Sequence, residues 1–134
     1  MSKKVKVAKN SKKLILIVEN DKSIQSGLMS FFDEDCELIC IDNGPEALMY
    51  LKETRIPDLV LLDMEMPGLN GRVFVRRIKF DPKHNKIPVI LISSVNSKLI
   101  INSFQKLGVE DYVVKPFETS VLVDKMNNII SSVN

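Results

Sequence analysis

Residues 57–68 read PDLVLLDMEMPG, a short apolar run that ends in an acidic residue and a turn. Residues 58–63 are rich in leucine and valine at successive positions, which is typical of a strand buried on both faces of a parallel sheet. Residues 66–71 contain proline, asparagine and two glycines, and a helical pattern follows as far as about Phe80. The stretch therefore predicts a strand, a turn and a helix in succession.

The same order of strand and helix recurs on both sides of this stretch. Further strands are predicted at residues 14–18, 37–41, 88–93 and 111–115, and further helices at 23–32, 43–52, 97–107 and 119–132. Strict alternation with short connections favours a parallel sheet with helices on both faces, because crossovers between parallel strands are right-handed. The predicted fold class is α/β, with a five-stranded parallel sheet flanked by five helices.

Length and composition are those of one globular domain. The chain has 134 residues, of which 45% are hydrophobic and 27% charged, and this excludes the disordered and fibrous classes. No apolar run is long enough to cross a bilayer, and the lysine-rich N-terminus lacks the apolar segment of a secretory signal. We expect a cytoplasmic protein without membrane insertion.

The charge is distributed unevenly along the chain. Residues 1–13 hold six of the 19 basic residues and none of the 17 acidic ones, so the remainder has a net charge of −4. This pattern predicts a basic, flexible tail at 1–13 and one domain at 14–134. A basic tail alone does not make a DNA-binding protein, and we expect no nucleic-acid partner.

Polar side chains are predicted to meet at the carboxyl ends of the strands. Glu19 and Asn20 end the first strand, Asp63 the third, Ser93 the fourth and Lys115 the fifth. Converging carboxylates repel one another unless a cation neutralises them, and oxygen ligands suit Mg²⁺. A carboxylate can also attack phosphorus to form an acyl phosphate. Lys115 would then offset the charge on the phosphoryl oxygens, and the Ser93 hydroxyl could bond one of them.

Four stretches carry a resemblance to a known family: IVEN at 17–20, PDLVLLDMEMPG at 57–68 with Gly71, PVILISS at 88–94 and GVEDYVVKPF at 108–117. Together they resemble the receiver domains of response regulators, from Leu14 to the C-terminus. The resemblance implies a (βα)5 flavodoxin-like fold in a stand-alone receiver domain. It also implies a phosphoryl-accepting switch of a two-component phosphorelay, and not an enzyme.

The resemblance assigns roles to individual residues. It implies that Asp63 is the phosphoacceptor, that Lys115 is the partner of the phosphoryl group, and that Ser93 is the switch hydroxyl. It implies that Tyr112 is the aromatic side chain that changes rotamer, and that Pro116 follows a cis peptide bond.

The same resemblance implies a Mg²⁺ site formed by Glu19, Asn20, Asp63 and the backbone carbonyl of Glu65. The family pattern has two acidic residues at the end of the first strand, and Asn20 stands in place of the second. We expect weaker metal binding because one formal charge is missing. Glu19, Asp21 or the side chain of Glu65 could supply that charge, and the sequence leaves the choice open.

The resemblance also implies partners. A histidine kinase or a histidine phosphotransfer protein would donate the phosphoryl group, and a downstream target would read the face of the fourth helix, fifth strand and fifth helix. Residues 99–101 are all apolar and cover about 200° of the fourth helix, more than one buried stripe needs. We therefore predict an exposed Leu99, which with Val95 and Tyr112 marks a surface for a partner or a weak homodimer. The predicted core face of this helix comprises Ile100, Phe104 and Leu107.

Three other interpretations stay open at this point. Asn20 suggests a phosphorylation-independent pseudo-receiver that acts as a protein-binding module. The sequence from Asp63 to Glu65 suggests an aspartate-nucleophile phosphohydrolase, although its nucleophile would lie on the wrong strand. A flavin-binding flavodoxin is disfavoured by the acidic end of the first strand.

Two groups of polar residues outside the strand ends are interpreted as solvated. His84, the one histidine of the chain, lies in the polar stretch 81–86 and is predicted to be a solvated loop residue. Arg72, Arg76 and Arg77 are predicted to form a solvated face of the third helix.

Overall fold

The computed structural model describes residues 12–32, 36–53 and 55–132. The strands are β1 (Lys13–Val18), β2 (Cys36–Ile41), β3 (Leu59–Asp63), β4 (Val89–Ser93) and β5 (Asp111–Val114). The helices are α1 (Lys22–Phe31), α2 (Gly44–Glu53), α3 (Gly71–Lys79), α4 (Lys98–Lys106) and α5 (Thr119–Ser132). Each strand is followed by a helix in the described residues, which confirms the predicted alternation and the α/β class.

The predicted tail falls mostly outside the described residues. Residues 1–11 are not described, and β1 begins at Lys13, which the sequence had placed at the end of the tail. Lys13 pairs with Cys36 at the start of the β1–β2 ladder. The sheet therefore begins one residue before the predicted domain boundary.

All strand pairs are parallel, and the strand order is β2-β1-β3-β4-β5. Val18 pairs with Leu62, one residue before the end of β3, and Asp63 pairs with Ile92 next to the end of β4. The order reverses between β1 and β3, and in open parallel sheets this crevice at the carboxyl ends is where ligands bind. The topology thus places Glu19 and Asp63 at the reversal point.

The core occupies both faces of the sheet, because helices cover each side. Strands β3 and β4 are buried along their whole length, which explains their unbroken apolar sequences. The face toward α2, α3 and α4 packs Ala47, Leu51, Phe74, Ile78 and Phe104. The face toward α1 and α5 packs Leu28, Leu122, Val123 and Met126. The two layers hold the strand ends in fixed positions relative to one another.

Polar side chains fix the starts of the helices that surround the site. Asn70 caps α3 by accepting the N–H of Val73, and Ser97 caps α4 by accepting the N–H of Ile100. Gly68, in the turn after β3, has a φ of 75°, a backbone conformation that glycine adopts without steric cost. These features fix where β3 gives way to α3.

The prediction of a solvated His84 is wrong. His84 is only 6% exposed. Its Nε2 lies 3.1 Å from the carbonyl oxygen of Leu51, and its Nδ1 lies 3.2 Å from Oδ2 of Asp81. The ring ties the loop before β4 to the end of α2, because the loop folds back onto that helix.

The interpretation of the third helix is wrong for Arg72 and correct for Arg76 and Arg77, which are exposed. The Arg72 guanidinium lies 4.4 Å from the ring centroid of Phe104 and donates to Oγ of Ser103 at 3.0 Å. Arg72 therefore joins α3 to α4.

Helix α4 exposes more apolar surface than predicted. Phe104 is buried as expected, but Ile100, predicted to be core, is 40% exposed. Leu99 is 83% exposed, which confirms its predicted position.

Among the described residues, no helix is long and apolar enough to cross a membrane.

Candidate functional site

Asp63 lies at the centre of the polar end of the sheet. Its carboxylate is buried at the end of β3, where Oδ1 accepts the Glu65 N–H at 2.9 Å and the Lys115 Nζ at 3.1 Å. The Lys115–Pro116 peptide bond is cis, as the resemblance implied. The structure thus brings Asp63 and Lys115 together from strands that are not neighbours in the sheet.

The ammonium group of Lys115 is held by the surrounding carboxylates. Partial burial by itself would lower the pKa of Lys115, but the hydrogen bond to Asp63 and the charges of Asp63 and Glu19 outweigh it and raise that pKa. A second carboxylate oxygen, Oε1 of Glu65, lies 3.5 Å from Nζ. Lys115 is therefore a fixed positive charge at this end of the sheet.

Glu19 is fully buried beside Asp63. Its Oε2 accepts the N–H of Asp21 at 3.0 Å, but its Oε1 has no hydrogen-bond donor among the described residues. Burial, together with a hydrogen bond that Glu19 makes to Asp63 only when a proton lies between them, raises the pKa of Glu19 to about 8. If both Glu19 and Asp63 were ionised, the negative charge on this side of the site would exceed what the nearby donors neutralise.

The Glu65 side chain is bound at the end of β4. Its Oε2 accepts hydrogen bonds from Oγ of Ser93 at 2.8 Å, from the N–H of Ser94 at 2.5 Å and from Oγ of Ser94 at 2.7 Å. Desolvation acts to raise the pKa of Glu65, but the bonds from Ser94 and then Ser93 outweigh it and lower the pKa to about 2. This carboxylate stays ionised and joins the β3–α3 turn to the end of β4.

These contacts narrow the choice of residue that could compensate for Asn20. Asp21 caps α1, since its Oδ1 accepts the N–H of Ser23 at 2.8 Å and the hydroxyl of Ser23 at 2.7 Å, and these bonds lower its pKa. Glu65 is engaged with the serines after β4. Glu19 has a buried carboxylate oxygen without a donor, so it is the acidic side chain best placed to offer a ligand. Asn20 itself is exposed next to it.

The donor set fits a divalent cation. No group of three or more His, Cys, Asp or Glu in the described part of the chain is arranged to hold a metal, so an ion here would also need amide or backbone oxygens. The unpartnered Oε1 of Glu19 and the repulsion between Glu19 and Asp63 are what a cation would relieve. Asn20 and the carbonyl of Glu65 are the further oxygens that the family resemblance implies.

A chain of hydrogen bonds leads from this site to the surface. The Ser93 hydroxyl oxygen accepts the Val95 N–H at 3.0 Å, and the Val95 carbonyl accepts the Tyr112 hydroxyl at 3.0 Å. Val95 is 39% exposed, and Leu99 lies in the first turn of α4, four residues further along the chain. The predicted surface residues Val95, Leu99 and Tyr112 are therefore connected to Ser93 through the loop that precedes α4.

Ser94, in that same loop, is a residue of the site whose role the sequence did not predict. Ser94 was quoted only as part of a motif, yet it gives two of the donors to Glu65. Two adjacent serines at the end of a buried strand are a usable signal, since hydroxyls and N–H groups at a strand end can bind an anion.

The family model of the response regulator receiver domain matches residues 15–127 of this chain. The cyclic di-GMP phosphodiesterase response regulator RpfG of Xanthomonas campestris pv. campestris is 34% identical over 119 residues, which is 87% of this chain and 31% of RpfG. Two other curated relatives are longer as well. The chain spans 9% of the length of histidine kinase P4 from Formosa agariphila and 50% of the length of the transcriptional regulatory protein AfsQ1 from Streptomyces coelicolor.

Solved structures have the same architecture. A phosphorylated cyanobacterial phytochrome response regulator, RcpA, has a TM-score of 0.73 and 30% identity, covering 89% of this chain and 91% of that one. The receiver domain of sensor histidine kinase PA1611 from Pseudomonas aeruginosa PAO1, described with magnesium coordinated in its active-site cleft, has a TM-score of 0.75 and 22% identity, covering 90% and 99%.

Proposed function

This chain belongs to the response regulator receiver domain family, and from that membership we propose that it is a phosphoryl-accepting switch with Asp63 as the phosphoacceptor. The observation that carries the proposal is the buried Asp63 carboxylate, held 3.1 Å from Lys115 at the reversal point of the sheet. A relative of known structure, RcpA, is described as phosphorylated. Receiver domains are signalling switches, and no separate catalytic activity is proposed.

The reaction would be attack of an Asp63 carboxylate oxygen on phosphorus. A carboxylate–phosphorus bond forms, the bond from phosphorus to the donor breaks, and the donor keeps that electron pair. The hydrogen bonds to Oδ1 from Glu65 N–H and Lys115 fix the orientation of the nucleophile. Lys115 then neutralises charge on the transferred oxygens, and the Ser93 hydroxyl bonds one of them.

Mg²⁺ fits the other side of the site. Glu19, Asn20, Asp63 and the backbone carbonyl of Glu65 would hold it. When bound, it supplies positive charge toward the phosphoryl oxygens. Support for this role comes from the unpartnered buried oxygen of Glu19 and from the magnesium described in the PA1611 receiver domain.

Transmission would follow the hydrogen-bond chain to the surface. A phosphoryl group on Asp63 draws the Ser93 hydroxyl away from Val95, and Tyr112 turns inward into the space that opens. The face of α4, β5 and α5, with Val95 and Leu99 exposed, then changes for a downstream target or for a weak homodimer. A histidine kinase or a histidine phosphotransfer protein would be the donor.

A second function is favoured by one substitution. Asn20 removes a formal charge from the metal site, and a receiver with weakened metal binding could act as a phosphorylation-independent binding module. That module would recognise its partner in the unmodified state.

Intact-mass spectrometry after incubation with phosphoramidate, with and without Mg²⁺, separates the two functions. We expect one Mg²⁺-dependent phosphoryl adduct on the wild type and on Asp124→Asn, an exposed control on α5, and none on Asp63→Asn. An adduct that appears only after Asn20→Asp would favour the binding module. An adduct on Asp63→Asn equal to that of the wild type would remove Asp63 as the phosphoacceptor.

A further inference from the structure

The Glu65 carboxylate lies among hydrogen-bond donors suited to an anion. Three bonds, from Oγ of Ser93 and from N and Oγ of Ser94, converge on Oε2 within 2.8 Å, and Nζ of Lys115 lies 3.5 Å from Oε1. A carboxylate and a phosphoryl group both accept such bonds through anionic oxygens. The donors around Glu65 therefore form an anion site that the protein fills with its own side chain.

Two of these donors are the groups that the proposed function assigns to the phosphoryl oxygens. Lys115 lies 3.1 Å from Asp63, and the Ser93 hydroxyl lies at the end of the adjacent strand, within 2.8 Å of Glu65. A phosphoryl group on Asp63 would bring further negative charge to the same donors. The Ser93 hydroxyl has one hydrogen to donate, and two anions beside the same lysine repel each other, so Glu65 and the phosphoryl group compete for these donors.

We propose that the Glu65 side chain is a built-in competitor of the phosphoryl group, which binds Ser93, Ser94 and Lys115 in the unmodified protein and leaves them when Asp63 is modified. This rests on the proposed function and adds a form of regulation to the same site. Because Glu65 belongs to the chain, it acts at fixed effective concentration and sets how strongly a phosphoryl group must bind. Its backbone carbonyl, proposed as a metal ligand, is unaffected by the side-chain exchange.

The competitor also affects the surface loop. The Ser93 hydroxyl donates its hydrogen to Glu65, and its oxygen accepts the N–H of Val95. The Val95 carbonyl in turn accepts the Tyr112 hydroxyl. Departure of Glu65 releases the Ser93 hydroxyl hydrogen for a new acceptor. Displacement of Glu65 would therefore be coupled to reorganisation of the loop through the Ser93 hydroxyl.

Beryllofluoride, an anion that binds carboxylates as a phosphoryl analogue, tests the competition directly. Its dissociation constant is measured by ¹⁹F NMR at saturating Mg²⁺, with Mg²⁺ affinity measured separately for each variant. Glu65→Gln and Glu65→Ala are expected to bind it at least about fivefold more tightly than the wild type. Glu37→Gln, which removes the same charge from an exposed position on β2, is expected to match the wild type.

A double-mutant cycle separates competition for donors from simple repulsion by a nearby charge. Ser94→Ala removes one donor to Glu65, so the gain from Glu65→Gln should shrink in that background. A gain of the same size in both backgrounds would show repulsion alone and overturn the proposal.

The remaining outcomes are equally decisive. Equal or weaker binding by both Glu65 variants, with a wild type that binds, overturns the competitor and leaves the proposed function standing. Binding by the Glu65 variants but not by the wild type supports the competitor in its strongest form. Absence of binding in every protein overturns the proposed function, and the competitor with it.

Discussion

Glu19 and Glu65 flank the same aspartate and are held in opposite ways. Glu19 is fully buried, and among the residues that the structure describes one N–H donor serves its two carboxylate oxygens; its pKa is raised to about 8. Glu65 is partly exposed and accepts from Ser93 and Ser94, and its pKa is lowered to about 2. Both lie near Lys115, so the charge of that lysine does not explain the difference. The opposite pKa shifts follow from the number of hydrogen-bond donors at each carboxylate, together with its burial.

The contrast divides the site into two halves. The Glu19 half has more carboxylate oxygens than donors and suits a cation, whereas the Glu65 half has converging donors and suits an anion. Asp63 lies between them with its Oδ1 on Lys115. This division of charge would suit a cation held on the Glu19 side and a phosphoryl group on Asp63.

The largest expected effect comes from replacing Glu19 in metal-free protein. The folded-state pKa of Glu19 is raised from 4.5 to about 8, so its contribution to stability is complete below about pH 4.5 and is lost as the pH rises through about 8. Glu19→Gln cannot ionise and should avoid that loss, which is on the order of 4 kcal/mol. Urea denaturation in EDTA at about pH 5 and pH 9 measures the difference.

A control variant and one contradicting outcome define this effect. Glu37→Gln, at an exposed position, should retain the pH dependence of the wild type. If Glu19→Gln and the wild type lose stability in parallel between the two pH values, the carboxylate is not the source, and the proposed contrast with Glu65 fails.

The next effect concerns the missing charge at Asn20. Asn20→Asp adds a carboxylate beside Glu19 and should tighten Mg²⁺ binding about tenfold, which corresponds to about 1.4 kcal/mol. Isothermal titration calorimetry measures the affinity. Asn102→Asp, an exposed site on α4, adds the same charge away from the strand ends and should leave the affinity unchanged. Equal gains in both variants would mean that only net charge matters and that Asn20 is no ligand.

The fold was predictable because its main determinants are local. Unbroken apolar runs identified buried strands, and turn residues and caps such as Asn70 and Ser97 marked the boundaries. The order of the sheet then brought Asp63 and Lys115 together, as the strand-end rule predicted.

The errors involve residues whose environment is formed by distant parts of the chain. His84 lies in a polar segment, but the carbonyl of Leu51 that it reaches is 33 residues away. Arg72 reads as a surface residue, yet its partner Ser103 is 31 residues away. The Glu65 side chain belongs to the same class, because Ser93 and Ser94 approach it only when β4 lies beside β3. Sequence patterns report which face a residue occupies, and they do not report which groups from elsewhere satisfy it.

A smaller effect is expected for Glu65 in acid. Its pKa is lowered from 4.5 to about 2, so its stabilising contribution is present above about pH 4.5 and is lost as the pH falls toward about 2. The side chain is 33% exposed, so solvent screening reduces the contribution to about 1 kcal/mol. Urea denaturation should therefore show Glu65→Gln less stable than the wild type near neutral pH and equal to it near pH 2. A difference that persists at the acid end would indicate lost packing instead of lost charge.

The smallest expected effect is at the far end of the chain of bonds from Glu65. Tyr112→Phe removes the hydroxyl that donates to the Val95 carbonyl at 3.0 Å, and this partly exposed bond should contribute about 0.5 kcal/mol to stability. Thermal denaturation of Tyr112→Phe, Glu65→Gln and the double variant measures whether the two ends communicate. If Ser93 and Val95 join them, the two losses should fail to add, because the first substitution already loosens the loop. Strict additivity would separate the Glu65 side of the site from the surface, and the loop would then have to respond to Asp63 through another contact.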